Sequence, residues 1–401
     1  MIPSTGWSLL DNVIIRNGTL YIVTEDPSSF LDPYHMFSTG APMLSDPASW
    51  AAKDPTSKEI RIVTPAEALR IIGPHASRLE GVTFLCNDNP QFVSHYYHFV
   101  AEILFGLWRT YSVLDLNIQA DGNTTLAAPR RFLFPRVKKL EFDDYSGLSS
   151  LIPQTIFPTM SFEFSDTWAD RSQTDRPFIF DRVVIADRVS AEHAPEWNGL
   201  YKYVAPAFTL PGSPGPLWWS PVRRALLQFL GKFRAMESPT ASTVPVITYI
   251  SRQDWNRRML HPDDHKVLVK ALGDLHRNHG YEVNIVNVEE LSEREQLSLA
   301  VRTTVMLGVH GNGLTHAVWM DPRRKPVLME FFAQDGFSTD YEYPMRQLGI
   351  EYYGWWGNKY FGHRELPSVY MGGGFQGNNI RIDGMAVAAK IVEHIQSSET
   401  S

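Results

Sequence analysis

The residues best placed to do chemistry sit where short apolar runs break into glycine, arginine or histidine. The run Val305–Val309 is interrupted by His310-Gly311-Asn312-Gly313-Leu314. These residues tolerate unusual backbone angles, so the pattern reads as strand, glycine turn and helix. Asn312 is the expected N-cap, which would turn the first-turn N–H groups and the positive end of the helix dipole toward a phosphate. The next strand ends in Glu330, twenty-two residues after Gly308. That is close to the spacing at which an acidic residue reaches a ribose hydroxyl. The glycine order is not the G-x-G-x-x-G of dinucleotide sites, so spacing alone fits a tight turn as well as a nucleotide.

A second candidate lies upstream, where the strand Val244–Ile250 runs into Ser251-Arg252, with Arg257-Arg258 one turn later. Arginine recognises phosphate through a planar, permanently charged fork of donors. Taken singly, Arg252 or Arg258 fits a surface ion pair with Asp254 or Asp263. Together with the glycine turn they favour a diphosphate pocket. A third candidate is the helix expected over Ser94–Arg109 with Ser94 as its N-cap, which places His95, His98 and Glu102 along one face. The plain alternatives there are a capping or core histidine and a solvated glutamate.

The elements that must position these groups follow from periodicity. Expected in the first half are strands Asn12–Arg16, Leu20–Thr24, Arg131–Pro135 and Arg182–Ala186, and a helix Pro65–Ile71. The run Pro211-Gly212-Ser213-Pro214-Gly215-Pro216 reads as a linker, which sets lobes at 1–220 and 221–401. After it, helices His261–His279 and Ser292–Val301 alternate with strands Glu282–Val286 and Thr304–Val309. The second helix opens on a capping box, Ser292 with Glu295. Strands alternating with helices predict an α/β fold with a parallel sheet, and ligands then bind beyond the carboxyl ends of its strands.

Composition narrows the class. With 43% hydrophobic residues and a net charge of −7, the chain can bury a large core and carries no nucleic-acid footprint. Cys86 is the only cysteine, which excludes an intramolecular disulfide and a cysteine metal cluster. No uninterrupted apolar stretch is long enough for a membrane segment. Asn17-Gly18-Thr19 and Asn123-Thr124-Thr125 match the N-glycosylation acceptor pattern. Trp355-Trp356, flanked by glycines, is the candidate sugar-stacking platform.

Three blocks in order resemble glycosyltransferase family 61. They are Tyr96-Tyr97-His98-Phe99-Val100-Ala101-Glu102, then Ile250-Ser251-Arg252 with Arg257-Arg258, then Gly308-Val309-His310-Gly311-Asn312-Gly313-Leu314-Thr315 with Glu330. Asn312 departs from the small residue usual between the family's glycines, and no Asp-x-Asp triplet occurs anywhere. The resemblance implies a GT-B fold, two Rossmann-like lobes facing a central cleft, and inverting transfer from a UDP-sugar, with xylose or N-acetylglucosamine foremost. The acceptor would be a glycan or glycoprotein hydroxyl. It also implies a Golgi or secretory location with a membrane anchor outside these residues, or a cytoplasmic one were the chain complete.

Inverting transfer needs a base at the acceptor and positive charge at the leaving diphosphate. Glu102 is the expected base, with His98 next. Ser251, Arg252, Arg258, Gly311, Asn312, Gly313 and Leu314 are expected around the diphosphate, His310 at either the phosphate or the sugar, and Glu330 at the ribose. No metal and no separate cofactor is expected. The rival reading is a non-catalytic sugar-nucleotide or glycan-binding protein of the same fold. A dehydrogenase lacks its dinucleotide fingerprint, and a serine hydrolase lacks its nucleophile elbow.

Overall fold

The computed structural model describes residues 1–41, 52–211, 217–233 and 244–400. It divides into two compact units, Met1–Phe229 and Leu230–Ser401. Most of the expected linker, 212–216, lies outside the described residues. Helix Ser220–Phe229 packs on helix Leu148–Ile156, so it belongs to the first unit and the division falls after it.

The first unit holds β1 (Trp7–Arg16), β2 (Thr19–Val23), β3 (Ile60–Val63), β4 (Ser77–Cys86), β5 (Arg131–Leu133), β6 (Ser161–Glu163) and β7 (Phe178–Ala186). They form one seven-stranded sheet in the order β3-β2-β1-β7-β4-β5-β6. β1 is antiparallel to both its neighbours and the remaining pairs are parallel. Asn17 and Gly18 close the β1–β2 hairpin with φ of 51° and 78°, the left-handed pair such a turn demands.

The second unit holds β8 (Val246–Ile250), β9 (Glu282–Val286), β10 (Val305–Val309), β11 (Val327–Phe331), β12 (Glu351–Trp356) and β13 (Lys359–Gly362), ordered β13-β12-β11-β10-β8-β9. All pairs except β12–β13 are parallel. β8, β10 and β11 are buried at every residue, which is why they read as unbroken apolar runs. Helices Pro262–His279 and Gly384–Thr400 pack against each other, and Leu268, Leu272 and Ile391 join Ile247, Leu307 and Met329 in one core.

Chain order and spatial order together locate the places where a ligand fits. In the second unit the chain passes from β8 outward to β9, then returns to β10 on the opposite side of β8. In the first unit it runs β4, β5, β6 and then returns to β7 on the opposite side of β4. Each reversal opens a crevice beyond the carboxyl ends of two adjacent parallel strands. The candidate residues emerge at these two points.

Candidate active site

In the second unit the loop after β8 and the turn after β10 meet. A Cβ on Gly311 would stand 2.5 Å from Nη1 of Arg252, so the guanidinium lies directly on the glycine backbone. The backbone at Gly311 is extended, with φ of 168°, so glycine is required here for close approach and not for conformation. Arg258 donates from Nη1 to the His310 carbonyl at 3.4 Å. The Gln253 amide closes the loop between the two arginines, accepting from the Leu260 N–H at 3.0 Å and donating to its carbonyl at 3.2 Å. Asp263, one alternative partner for the arginines, stands 3.7 Å from Lys266. Arg252 lies 5.2 Å from the ring of Trp255.

The helix after the turn is a 3₁₀ helix, Asn312–Trp319, capped by Gly311. Asn312 is therefore its first residue and not its N-cap, and its Oδ1 accepts from the Thr315 hydroxyl at 3.4 Å. The helix is held close to β8 because Gly308 and Gly313 lack side chains: added Cβ atoms would come within 2.9 Å of the Ile250 carbonyl and 3.0 Å of the Ile250 side chain. Leu314 is buried and its N–H bonds the Gly311 carbonyl at 2.9 Å. Ser251 continues β8 by donating its N–H to the Val286 carbonyl at 2.8 Å. Helix first turns leave backbone N–H groups without intrahelical partners, and here two arginines stand beside them.

Glu330, expected at a ribose, is closed off by its protein partners. It is 0% exposed, with Oε1 at 2.5 Å from His310 Nδ1 and Oε2 accepting from the Tyr352 hydroxyl at 2.8 Å. Burial pushes its carboxyl above the usual range, and the His310 hydrogen bond opposes this. Glu330 thus stands behind His310, which itself faces Asp340 at 3.6 Å from Nε2. The Tyr341 hydroxyl donates to the Gly311 carbonyl at 2.7 Å. Trp355 is buried in the core and Trp356 donates its indole N–H to the Gly336 carbonyl at 2.7 Å. The pair therefore offers no open double platform for a sugar.

In the first unit the segment expected as one helix is helical without a break from Tyr96 to Ser112, but it starts later than expected and is wound differently over part of its length. Pro90–Val93 is a short turn that Ser94 ends, its hydroxyl donating to the Pro90 carbonyl at 2.8 Å, so Ser94 caps no helix start. His98–Leu104 is a π-helix that leads into the α-helix Phe105–Ser112. Such widened turns recur at functional sites. His98 Nδ1 lies 2.7 Å from Glu102 Oε2, which also accepts from Arg188 Nη2 at 2.7 Å, while Lys202 Nζ stands 4.0 Å from Oε1. Burial would raise the Glu102 pKa, but Arg188, His98 and Lys202 outweigh it and hold the carboxyl well below the ordinary range.

Arg188 is the hub of this cluster. It follows β7 directly and is sandwiched between Phe92 and Tyr203, 4.0 and 4.2 Å from their rings. Its Nε donates to Asp88 Oδ2 at 3.1 Å, and its backbone N–H to Asp88 Oδ1 at 2.8 Å. Asp88 follows β4, so the ends of the two strands flanking the crevice are tied by one ion pair. Arg188, Asp88, Lys202 and Tyr203 are absent from the sequence reading. The available signal was Asn87-Asp88 and Asp187-Arg188, each immediately after a buried strand.

Among the described residues no group of three or more His, Cys, Asp or Glu is arranged to hold a metal ion. No helix there is long and apolar enough to cross a membrane. The family model for glycosyltransferase 61 matches residues 96–327, from the tyrosine-histidine block through the glycine turn to the start of β11. A stretch of 109 residues is 30% identical to the EGF domain-specific O-linked N-acetylglucosamine transferase of Drosophila melanogaster. That stretch is 27% of this chain and 19% of the fly protein. With more than half of its length matched, and with the matched blocks placed at both sheet crevices, the chain belongs to the glycosyltransferase 61 family.

Proposed function

We propose that the protein is an inverting glycosyltransferase of GT-B arrangement that uses a UDP-sugar. The observation that carries the donor site is the seat of Arg252 on Gly311 at the β8–β10 crevice, beside Arg258. Two cations and a helix start converge there, and a leaving nucleoside diphosphate needs that kind of stabilisation. Metal is dispensable in this reading because the arginines and the helix N–H groups supply the positive field.

The acceptor base is His98. A carboxylate held ionised by a buried arginine is a weak base, and Glu102 has no open face. An ionised carboxylate only accepts hydrogen bonds, so it fixes the proton of His98 on Nδ1 and leaves Nε2 to take the acceptor's proton. The transferred sugar is xylose or N-acetylglucosamine and the acceptor a glycan or glycoprotein hydroxyl. The family, and the fly enzyme's stated action on EGF domains, support this. A secretory location agrees with exposed Asn17 and Asn123 in their acceptor triplets.

Calorimetry with UDP tests the donor site. Arg252→Ala should weaken UDP binding by about ten- to hundredfold, the scale of a charged hydrogen-bond contact, while the fold persists. Equal affinity in the two proteins would place the site elsewhere. A thermal-shift series with UDP, UDP-xylose, UDP-N-acetylglucosamine, GDP-mannose and NAD distinguishes the donor class.

A further inference from the structure

Three groups in line lie behind the diphosphate crevice of the second unit, and no step so far uses them together. Tyr352, in the interior of β12, donates its hydroxyl to Glu330 Oε2 at 2.8 Å. Glu330, near the end of β11, meets His310 Nδ1 at 2.5 Å through its other oxygen. His310 follows β10 at the glycine turn. Both Tyr352 and Glu330 are 0% exposed. A buried carboxylate on a neutral strand interior is costly to keep, and hydrogen bonds at both its oxygens are what make it tolerable. Both groups are shut off from solvent, and of the two Glu330 is the one in contact with the imidazole.

The imidazole is fixed on its other sides as well. Phe332 and Phe375 flank it at ring-centroid distances of 5.7 and 4.9 Å, and Tyr341 meets it edge-on at 5.5 Å. Asp340 stands 3.6 Å from Nε2. Arg258 reaches its carbonyl oxygen and Arg252 lies on the next residue. Asp340 puts a negative charge near both the imidazole and Arg258, the kind of place a phosphate would take.

We infer that Glu330 and Tyr352 are positioning residues for the donor: they anchor the Nδ1–H of His310 so that Nε2 is presented to the diphosphate, and Asp340 engages that nitrogen until the donor displaces it. This rests on the UDP reading given above. Its chemistry is one of orientation alone, with no bond formed or broken. Holding the ring by a buried acceptor sets which nitrogen carries the proton, as it does for metal-binding and catalytic histidines.

The tautomer is directly observable. In protein with ¹⁵N-labelled histidine, assigned with His310→Asn, long-range spectra should show a protonated Nδ1 at His310, and UDP should move the Nε2 signal. Tyr352→Phe should weaken UDP binding by about tenfold, since it strips one hydrogen bond from a buried carboxylate. Asp340→Asn should tighten binding by about three- to tenfold by removing a like charge from the phosphate's place. A bare Nδ1 in the wild type, or an Nε2 signal that stays put at saturating UDP, overturns the inference. So does Asp340→Asn binding no more tightly than wild type. If UDP binds with the expected dependence on Arg252 while His310 does not respond, the donor site stands and the positioning role falls. If wild-type protein does not bind UDP at all, both fall.

Discussion

His98 and Glu102 share one short hydrogen bond, Nδ1 to Oε2 at 2.7 Å, yet only the histidine is open: its side chain is 30% exposed against 3% for the glutamate. The relationship favours His98 over Glu102 as the proposed base. His98→Ala should lower turnover by about two to four orders of magnitude, the usual contribution of a positioned base. Glu102→Gln keeps an acceptor for the Nδ1–H and should cost only about tenfold, with donor affinity unchanged in both variants. Steady-state kinetics with a UDP-sugar and acceptor would decide it. A dead Glu102→Gln beside an active His98→Ala would return the base to the carboxylate.

Arg188 ties Glu102 and Asp88 together inside the first unit. Removing it strips Asp88 of its ion pair and leaves buried Glu102 with only His98 and Lys202, so Arg188→Met should destabilise the unit by about 3–5 kcal/mol in denaturant unfolding. The pH sign follows from the depressed Glu102 carboxyl, whose ordinary value is 4.5. Its stabilisation is fully present above that value and is lost as pH falls through the lower folded value. In Arg188→Met the burial of Asp88 and Glu102 is no longer offset by the guanidinium, so their folded carboxyls rise instead, protonation relieves the variant, and the cost of the substitution should shrink as pH falls from neutral. A cost that stays flat from neutral pH down to about pH 5 would contradict this.

Gly311 and Arg252 should behave as one unit. A methyl group at 311 would meet Nη1 at 2.5 Å, and since that atom is the far end of a flexible side chain, the guanidinium moves and the fold survives. The backbone is extended there, so no strain adds to the effect. Gly311→Ala should weaken UDP binding nearly as much as Arg252→Ala, and the double variant little more than either. Additive losses in this cycle would mean that the two residues act separately.

What the sequence made legible is what periodicity and local chemistry determine. The alternation of strand and helix after residue 244, the capping box at Ser292 and the strands that carry Arg252 and His310 were readable because each depends on neighbours in sequence. The spacing of Glu330 suits a ribose contact, while its partner Tyr352 comes from β12 and follows only from the strand pairing. The Ser94 helix start failed for a similar reason: Pro90 opens a turn first, and a π-helix then resets the phase. Arg188 stands 86 residues from Glu102 in sequence, and only the parallel pairing of β4 with β7 brings their surroundings together.

Chelation separates the cationic donor site from a metal-dependent one. Arg252, Arg258 and the helix start already supply positive charge where the diphosphate would leave, so transfer should persist in excess EDTA. The measurement is product formation with and without chelator and added manganese. Complete loss that manganese restores would show that these groups are insufficient.

His316 should make the second unit sensitive to mild acid. It lies inside the 3₁₀ helix, 3% exposed, with Nε2 at 3.0 Å from Gln296 Oε1. The Gln296 amide nitrogen donates to the carbonyls of Val288 and Leu291 at 2.8 and 2.9 Å, which orients its oxygen toward the histidine and makes Nε2–H the donor. Burial disfavours the charged ring and pushes its pKa from 6.5 down to about 4. Unfolded protein therefore binds a proton that folded protein refuses. The stabilisation is complete above pH 6.5 and is lost as pH falls from there toward 4, a span worth about 3 kcal/mol in all. His265 and His394, also depressed by burial, add the same sign, so the variant comparison is what isolates His316. His316→Leu should be less stable at pH 7.5, because Gln296 loses its donor, but its urea midpoint should fall less steeply between pH 6.5 and 5 than that of the wild type. Parallel pH dependences in the two proteins would show that His316 already carries its proton in the folded state.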